Sequence, residues 1–272
     1  MQKGASNWLP HWLDSLQARG ELSFGVDLLK KENPSLSDIA IKRALSRLTS
    51  KGSLISLHKG YYLIVPPAFL SAGIVPPQLY MDAFMRYLAR PYYVSLLSAA
   101  AFYGAAHQQP QEFFVSTNLP VLRPTYKKGL KINYLSLSAF PEGLLEKRKT
   151  ATGYLLISNA VLTAADLLQF EKRVGGLNRV ATVLFELAEE IRPEDFSMQL
   201  MQQVGVSTLQ RLGYLLEEVC NRTDLADALF AAMQQARLSF FRIPLKIGIP
   251  SQGFSSDKRW KVIPNVVLEM DF

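Results

Sequence analysis

The hydrophobic spacing along the first 65 residues changes once, from three or four to two. Trp8, Leu9, Trp12, Leu13 and Leu16 recur at helical spacing and predict an amphipathic helix that stops near Gly20. Ser23 is placed to cap a second short helix through Lys31, with Phe24, Val26, Leu28 and Leu29 inward, before Asn33-Pro34 forces a turn. Ser35-Leu36-Ser37-Asp38 resembles a capping box and opens a third helix, which runs to about Ser50 and ends at Lys51-Gly52. Beyond Gly52 come two β-rich runs, Leu54 to Leu57 and Tyr61 to Val65. His58-Lys59-Gly60 between them reads as a tight hairpin. In such a strand one ring of the Tyr61-Tyr62 pair should face the core and the other the surface. Three helices followed by a hairpin is the element order of a winged helix-turn-helix. Pro66 and Pro67 close this unit, and residues 66–78 read as a proline-rich linker.

From Leu79 the pattern mixes both periods. Helices are expected at Leu79–Leu88 and Ser95–Tyr103, and strands at Glu112–Thr117, Lys131–Leu135 and Tyr154–Ile157. A block of helices follows at Thr163–Phe170, Leu177–Ile191, Phe196–Gln203, Ser207–Cys220 and Leu225–Leu238. Short strands return at Trp260–Ile263 and Val266–Glu269. The fold class is therefore α+β: an N-terminal winged helix-turn-helix over residues 1–65, and a larger C-terminal mixed α/β domain over residues 79–272 with a late helical block.

Composition narrows the class. The chain is 49% hydrophobic and 19% charged, too apolar for a disordered polymer. Two long uncharged runs do not read as membrane spans. Gly60 to Met81 is interrupted by Pro66, Pro67, Pro76 and Pro77, and the apolar part of Pro91 to Gln111 is shorter than the ~20 residues a bilayer requires. A single cysteine, Cys220, excludes a disulfide framework and reads as core. With no apolar leader at the N-terminus, the expected location is the cytoplasm.

Charge is unevenly spread. Residues 1–65 hold nine Lys/Arg against five Asp/Glu, residues 66–150 nine against four, and residues 151–272 twelve against fourteen. The positive charge thus sits in the first 150 residues, while the remainder is mildly acidic, and a basic half suits a polyanionic partner. The third helix concentrates it. At about 100° per residue, Ile41, Leu45 and Leu48 make one apolar stripe, while Lys42, Ser46, Ser50, Arg43 and Arg47 occupy the opposite arc. Cations suit phosphate and guanine, hydroxyls suit phosphate or base edges, and such a helix presents its N-terminal half to bases. Ser37, Lys42, Arg43 and Ser46 are placed nearest the bases, with Arg47 and Lys51 nearer phosphate. His58 and Lys59 tip a hairpin that can rest on phosphate or enter a minor groove.

Catalytic chemistry is poorly represented. His11, His58 and His107 lack metal spacing, no phosphate-binding glycine loop is present, and no catalytic residue, metal or cofactor is expected. The enzymatic alternative is a metal-dependent nuclease using Glu112, but no Asp or Glu-x-Lys follows on the next strand. Glu142 and Glu146-Lys147 fall in an apparent loop or short helix.

The sequence resembles the AbiEi antitoxins of type IV toxin–antitoxin systems over nearly its whole length. The resemblance lies in residues 44–52, from Ala44 to Gly52, in Leu54-Ile55 and in Lys59-Gly60-Tyr61-Tyr62-Leu63. It continues in Tyr92-Tyr93-Val94-Ser95, Ala99-Ala100-Ala101-Phe102-Tyr103-Gly104 and His107-Gln108-Gln109-Pro110-Gln111, the strand ending Val115-Ser116-Thr117, and the block from Arg211 to Glu217. It implies a repressor that binds inverted repeats in its own promoter through the winged helix. Its C-terminal domain would counteract a nucleotidyltransferase-like toxin of a phage abortive-infection system. It further implies a monomer in solution, paired on double-stranded DNA, with Arg86, Arg90, Arg123, Lys127, Lys128 and Lys131 as secondary phosphate contacts. The competing reading is a protein-interaction module whose winged helix no longer reads sequence.

Overall fold

The computed structural model describes residues 8–71, 73–105, 112–127 and 129–269. The chain opens with α1 (Trp8–Ala18), whose Leu9, Leu13 and Leu16 are buried at the predicted spacing. Next come β1 (Ser23–Gly25), α2 (Val26–Glu32) and α3 (Asp38–Ser50). β2 (Leu54–His58) and β3 (Tyr61–Ile64) form the hairpin, which turns on Lys59-Gly60 with Gly60 at φ +75°.

The helix expected from Ser23 to Lys31 is split. Ser23 to Gly25 pair antiparallel with β3 and complete a sheet of order β1-β3-β2. Ser23 caps nothing: its Oγ accepts a 2.6 Å hydrogen bond from Tyr61 Oη, and Gly25 precedes α2 without a side-chain cap. A partner strand 38 residues away overrides the local helical preference.

β3 is apolar on both faces, and both are covered. Ile64 joins Leu54 in the core beneath α1 and α3, with Phe24, Ile41, Leu45 and Leu48. Tyr61, Leu63 and Val65 join Ile55 and Leu57 in a second cluster with Phe84, Met85, Val94, Val115 and Ile157. Tyr62 is therefore not the surface ring the alternation suggested. It is half-buried and stacks on Phe24 at 5.8 Å. Within residues 66–78, Val75 and Pro77 are buried, and Val75 packs in the second cluster.

The remaining chain builds a mixed sheet under a helical layer. α4 (Met81–Tyr87), β4 (Tyr92–Val94) and α5 (Leu96–Ala100) are followed by β5 (Glu112–Asn118), β6 (Thr125–Lys127), β7 (Leu130–Leu137), β8 (Leu145–Thr150) and β9 (Gly153–Ser158). The strand order is β6-β7-β5-β4-β9-β8, with β5/β7 and β4/β9 parallel. Tyr92, Val94, Phe113 and Val115 face the second cluster, while Tyr93 and Phe114 face the helical block. That block comprises α6 (Ala160–Gln169), α7 (Leu177–Leu187), α8 (Met198–Gln203), α9 (Val206–Glu218) and α10 (Thr223–Gln235), and a short parallel pair, β10 (Ile243–Pro244) and β11 (Val262–Ile263), ends it.

Several expected boundaries shift. Glu146-Lys147 lies in β8, not in a loop or helix. β8 is a sheet edge, and its charged run Leu145-Glu146-Lys147-Arg148-Lys149-Thr150 blunts that edge while hiding the period-two signal. Val266–Glu269 forms no strand, and α7 ends at Leu187. The block from Arg211 is structural. Buried Arg211 pairs with buried Glu171 and donates to Leu245 O at 2.8 Å, while Gly213 leaves room for the Trp260 ring, only 2.1 Å from where a Cβ would stand. The Cys220 thiol is buried, and desolvation pushes it up to about 12.

Asp166 on α6 is a buried acid facing the sheet. Tyr93 Oη donates to its Oδ2 at 3.0 Å, and desolvation pushes the carboxyl up to about 7 despite that bond. In the folded chain the neutral form is thus favoured above the ordinary carboxylate range, so the folded state binds more protons than the unfolded state and stability falls as pH rises. Relative to Asp166→Asn, the wild-type chain should lose roughly 2–4 kcal/mol between about pH 4 and pH 7 and then level off, as read from urea unfolding at stepped pH.

Candidate nucleic-acid interface

α3 is set by its ends and its underside. Ser37 is its N-cap, its Oγ accepting from Ala40 N–H at 3.2 Å, and Gly52, in the left-handed region at φ +77°, releases the chain at the other end. Ile41, Ala44, Leu45 and Leu48 are buried, which turns Lys42, Arg43, Ser46 and Arg47 outward. All four are exposed, as are Ser37, Lys51, His58 and Lys59. Asp38 at the start of α3 pairs with Lys30 of α2 at 2.8 Å, and that contact holds its carboxyl below the usual range. Among the described residues no ion pair engages Lys42 or Arg43.

The hairpin is fastened to the mixed sheet at its turn. Tyr87 of α4 lies 4.6 Å from Tyr61 between ring centroids, and its Oη donates to Lys59 O at 3.4 Å. The Tyr87 ring also lies against Gly25, where an added Cβ would come within 2.7 Å of it. Beside this junction runs a groove of about 610 Å³, lined by His58 and Phe84 on one side and by Arg123, Tyr126 and Lys127 on the other.

The groove sorts the secondary cations. Arg123 and Lys127, both exposed, face it together with His58, although the sequence separates them by more than sixty positions. Arg90 is turned inward and donates to the carbonyls of Asn118 and Pro120, which fixes the loop entering β6. Lys131 pairs with Glu112 at 3.0 Å, and Asn133 Nδ2 donates to the other Glu112 oxygen at 2.6 Å. The carboxylate considered for metal chemistry is thereby occupied by a lysine and an amide. Arg86 pairs with Asp82 at 2.9 Å and lines a separate cleft of about 750 Å³ with Lys147 and Tyr154. Lys128 and the stretch from His107 to Gln111 lie outside the described residues. Among the described residues no three His, Cys, Asp or Glu side chains cluster as metal ligands.

Two exposed side chains of this surface escaped the sequence reading. Tyr126 reaches out beside Lys131, its ring centroid 5.7 Å from the ammonium, from a strand of only three residues that gives no periodic signal. Ile39 is 64% exposed on α3. Its signal was present in the sequence: it lies about 160° from Ile41, in the middle of the polar arc.

Residues 93–218 match the family model described as the AbiEi antitoxin C-terminal domain. The RV2827C protein from Mycobacterium tuberculosis, a solved structure, has the same fold. The TM-score is 0.66 at 16% identity, over 94% of this chain and 91% of that one. No curated protein matches. Among the described residues no helix is long and apolar enough to cross a membrane.

The Gly25–Tyr87 contact can be tested directly. Gly25→Ala should cost about 1 kcal/mol by forcing the ring aside, and most of that cost should vanish in a Tyr87→Ala background, as measured by a double-mutant cycle in urea.

Proposed function

We propose that this chain is a DNA-binding autorepressor and the antitoxin of a type IV toxin–antitoxin system. Residues 1–65 act as a winged helix-turn-helix, residues 66–78 connect, and residues 79–272 counteract a nucleotidyltransferase-like toxin. The observation that carries the DNA half is the outward cationic face of α3, and the exposed Lys59 turn, fastened to Tyr87 of α4, adds a second cation. A helix of this kind enters a major groove, and a neighbouring turn bearing a cation reaches adjacent phosphate. Arg123 and Lys127 add a second positive patch along the groove they share with His58, where they meet the sugar-phosphate backbone. Arg90 and Lys131, with internal partners, serve the fold first. The antitoxin half rests on the family match.

The chain works without catalysis, metal or cofactor in the cytoplasm. It is a monomer in solution, and two copies occupy inverted repeats in its own promoter. A second reading, a protein-interaction module without sequence reading, is favoured by the exposed Phe241, Ile247, Phe254 and Val267 of the last segment. Co-purification of a neighbouring gene product with no shift of upstream DNA would support it.

A gel-shift titration on the DNA upstream of the chain's own gene separates the two. Arg43→Ala with Arg47→Ala should weaken binding ~10- to 100-fold and relax sequence preference. Lys59→Ala should weaken all sequences alike and reduce the salt slope by about one. Unchanged affinity in the double variant overturns the assignment.

A further inference from the structure

Ile39 is out of place for a residue that serves only the fold. Among the described residues 8–65 it is the one large hydrophobic side chain left exposed, at 64%. The others of α1 to β3 sit in or against one of the two cores that flank the hairpin. A β-branched residue also lowers helix propensity slightly, and an exposed position near a helix start offers no burial in return. The first turn that carries it is nevertheless well fixed, by the Ser37 cap and by the Asp38–Lys30 pair at 2.8 Å. The result is a stiff aliphatic group displayed at a defined place.

Its neighbours name its partner. Lys42 and Arg43 follow about one turn on and Ser46 about two, so cations and a hydroxyl continue the exposed arc from the apolar group, while the one acid beside it, Asp38, is paired with Lys30. Bare apolar contact inside a cationic face fits a surface that is anionic around a small apolar island. The major groove of duplex DNA has that character: phosphates flank it, and the 5-methyl of thymine is the apolar group on its floor. Ile39 also lies in the N-terminal half of the helix, the part that reaches base edges.

We infer that Ile39 is a specificity-determining residue that selects thymine through its 5-methyl group. This rests on the DNA-binding reading above and goes beyond it by assigning a base and an atom to one side chain. The cations supply affinity to any duplex, whereas Ile39 adds preference without adding charge.

The test starts with the unaltered full-length chain. A randomised duplex library is enriched on it, and the enriched duplex is resynthesised with each thymine replaced in turn by deoxyuridine, which lacks only the methyl. Wild-type binding should weaken about fourfold at one thymine of each half-site and stay unchanged at the others. Ile39→Ser should bind both forms alike with an unaltered salt slope, and Ile39→Val should keep the preference. An enriched sequence without an invariant thymine, indifference of the wild-type chain to every replacement, or undiminished discrimination by Ile39→Ser overturns the inference. A library that enriches nothing overturns the DNA-binding reading itself, so the two failures are distinct.

Discussion

The fold turns on a strand with no solvent face. Along β3 and its continuation, Tyr61, Leu63 and Val65 point to the mixed sheet while Tyr62 and Ile64 point to the helices. β2 repeats the division with Leu54 on one side and Ile55 and Leu57 on the other. Burying one such side chain contributes about 2 kcal/mol, and here the gain is collected on both faces of a single hairpin. The basic helix is consequently built onto the mixed sheet. That packing sets His58 across one groove from Arg123 and Lys127.

The cations of this surface divide by what lies within reach. Arg90 meets two loop carbonyls and Lys131 meets Glu112, so each is engaged by a partner within the chain. On α3 the acid nearest the helix start pairs with Lys30 of α2, and Lys42 and Arg43 stand exposed to solvent. Exposed cations of this kind contribute little to stability but act at a distance on a polyanion, in a salt-dependent way. Among the described residues the enclosed pair lies in the helical block, where Arg211 meets Glu171 and the Trp260 ring lies against Gly213.

Legibility followed the length and one-sidedness of each element. α1 and α3 were readable because each buries one stripe and wets the other, and Ser37 and Gly52 mark the ends of α3. α7 and α10 were readable for the same reason, whereas α6 is buried nearly all round. β1 was not, because Phe24, Val26, Leu28 and Leu29 are spaced acceptably for a helix and the decisive partner, β3, lies far along the chain. β8 was not, because a protective edge strand replaces apolar alternation with charge. β6 and β10 were too short to show any period.

The same divide runs through the candidate site. The amino-acid order alone determined that α3 has a cationic face, because a helical period is a local property and its apolar stripe must turn inward. It determined the Lys59-Gly60 turn as well, since a left-handed glycine and two flanking β-rich runs are all that a hairpin requires. Only the tertiary structure decided which of the later cations come beside the hairpin turn. Whether Arg123 and Lys127 stand beside His58, or Arg90 and Lys131 are consumed by carbonyls and a carboxylate, depends on contacts between distant segments, and no local period encodes them.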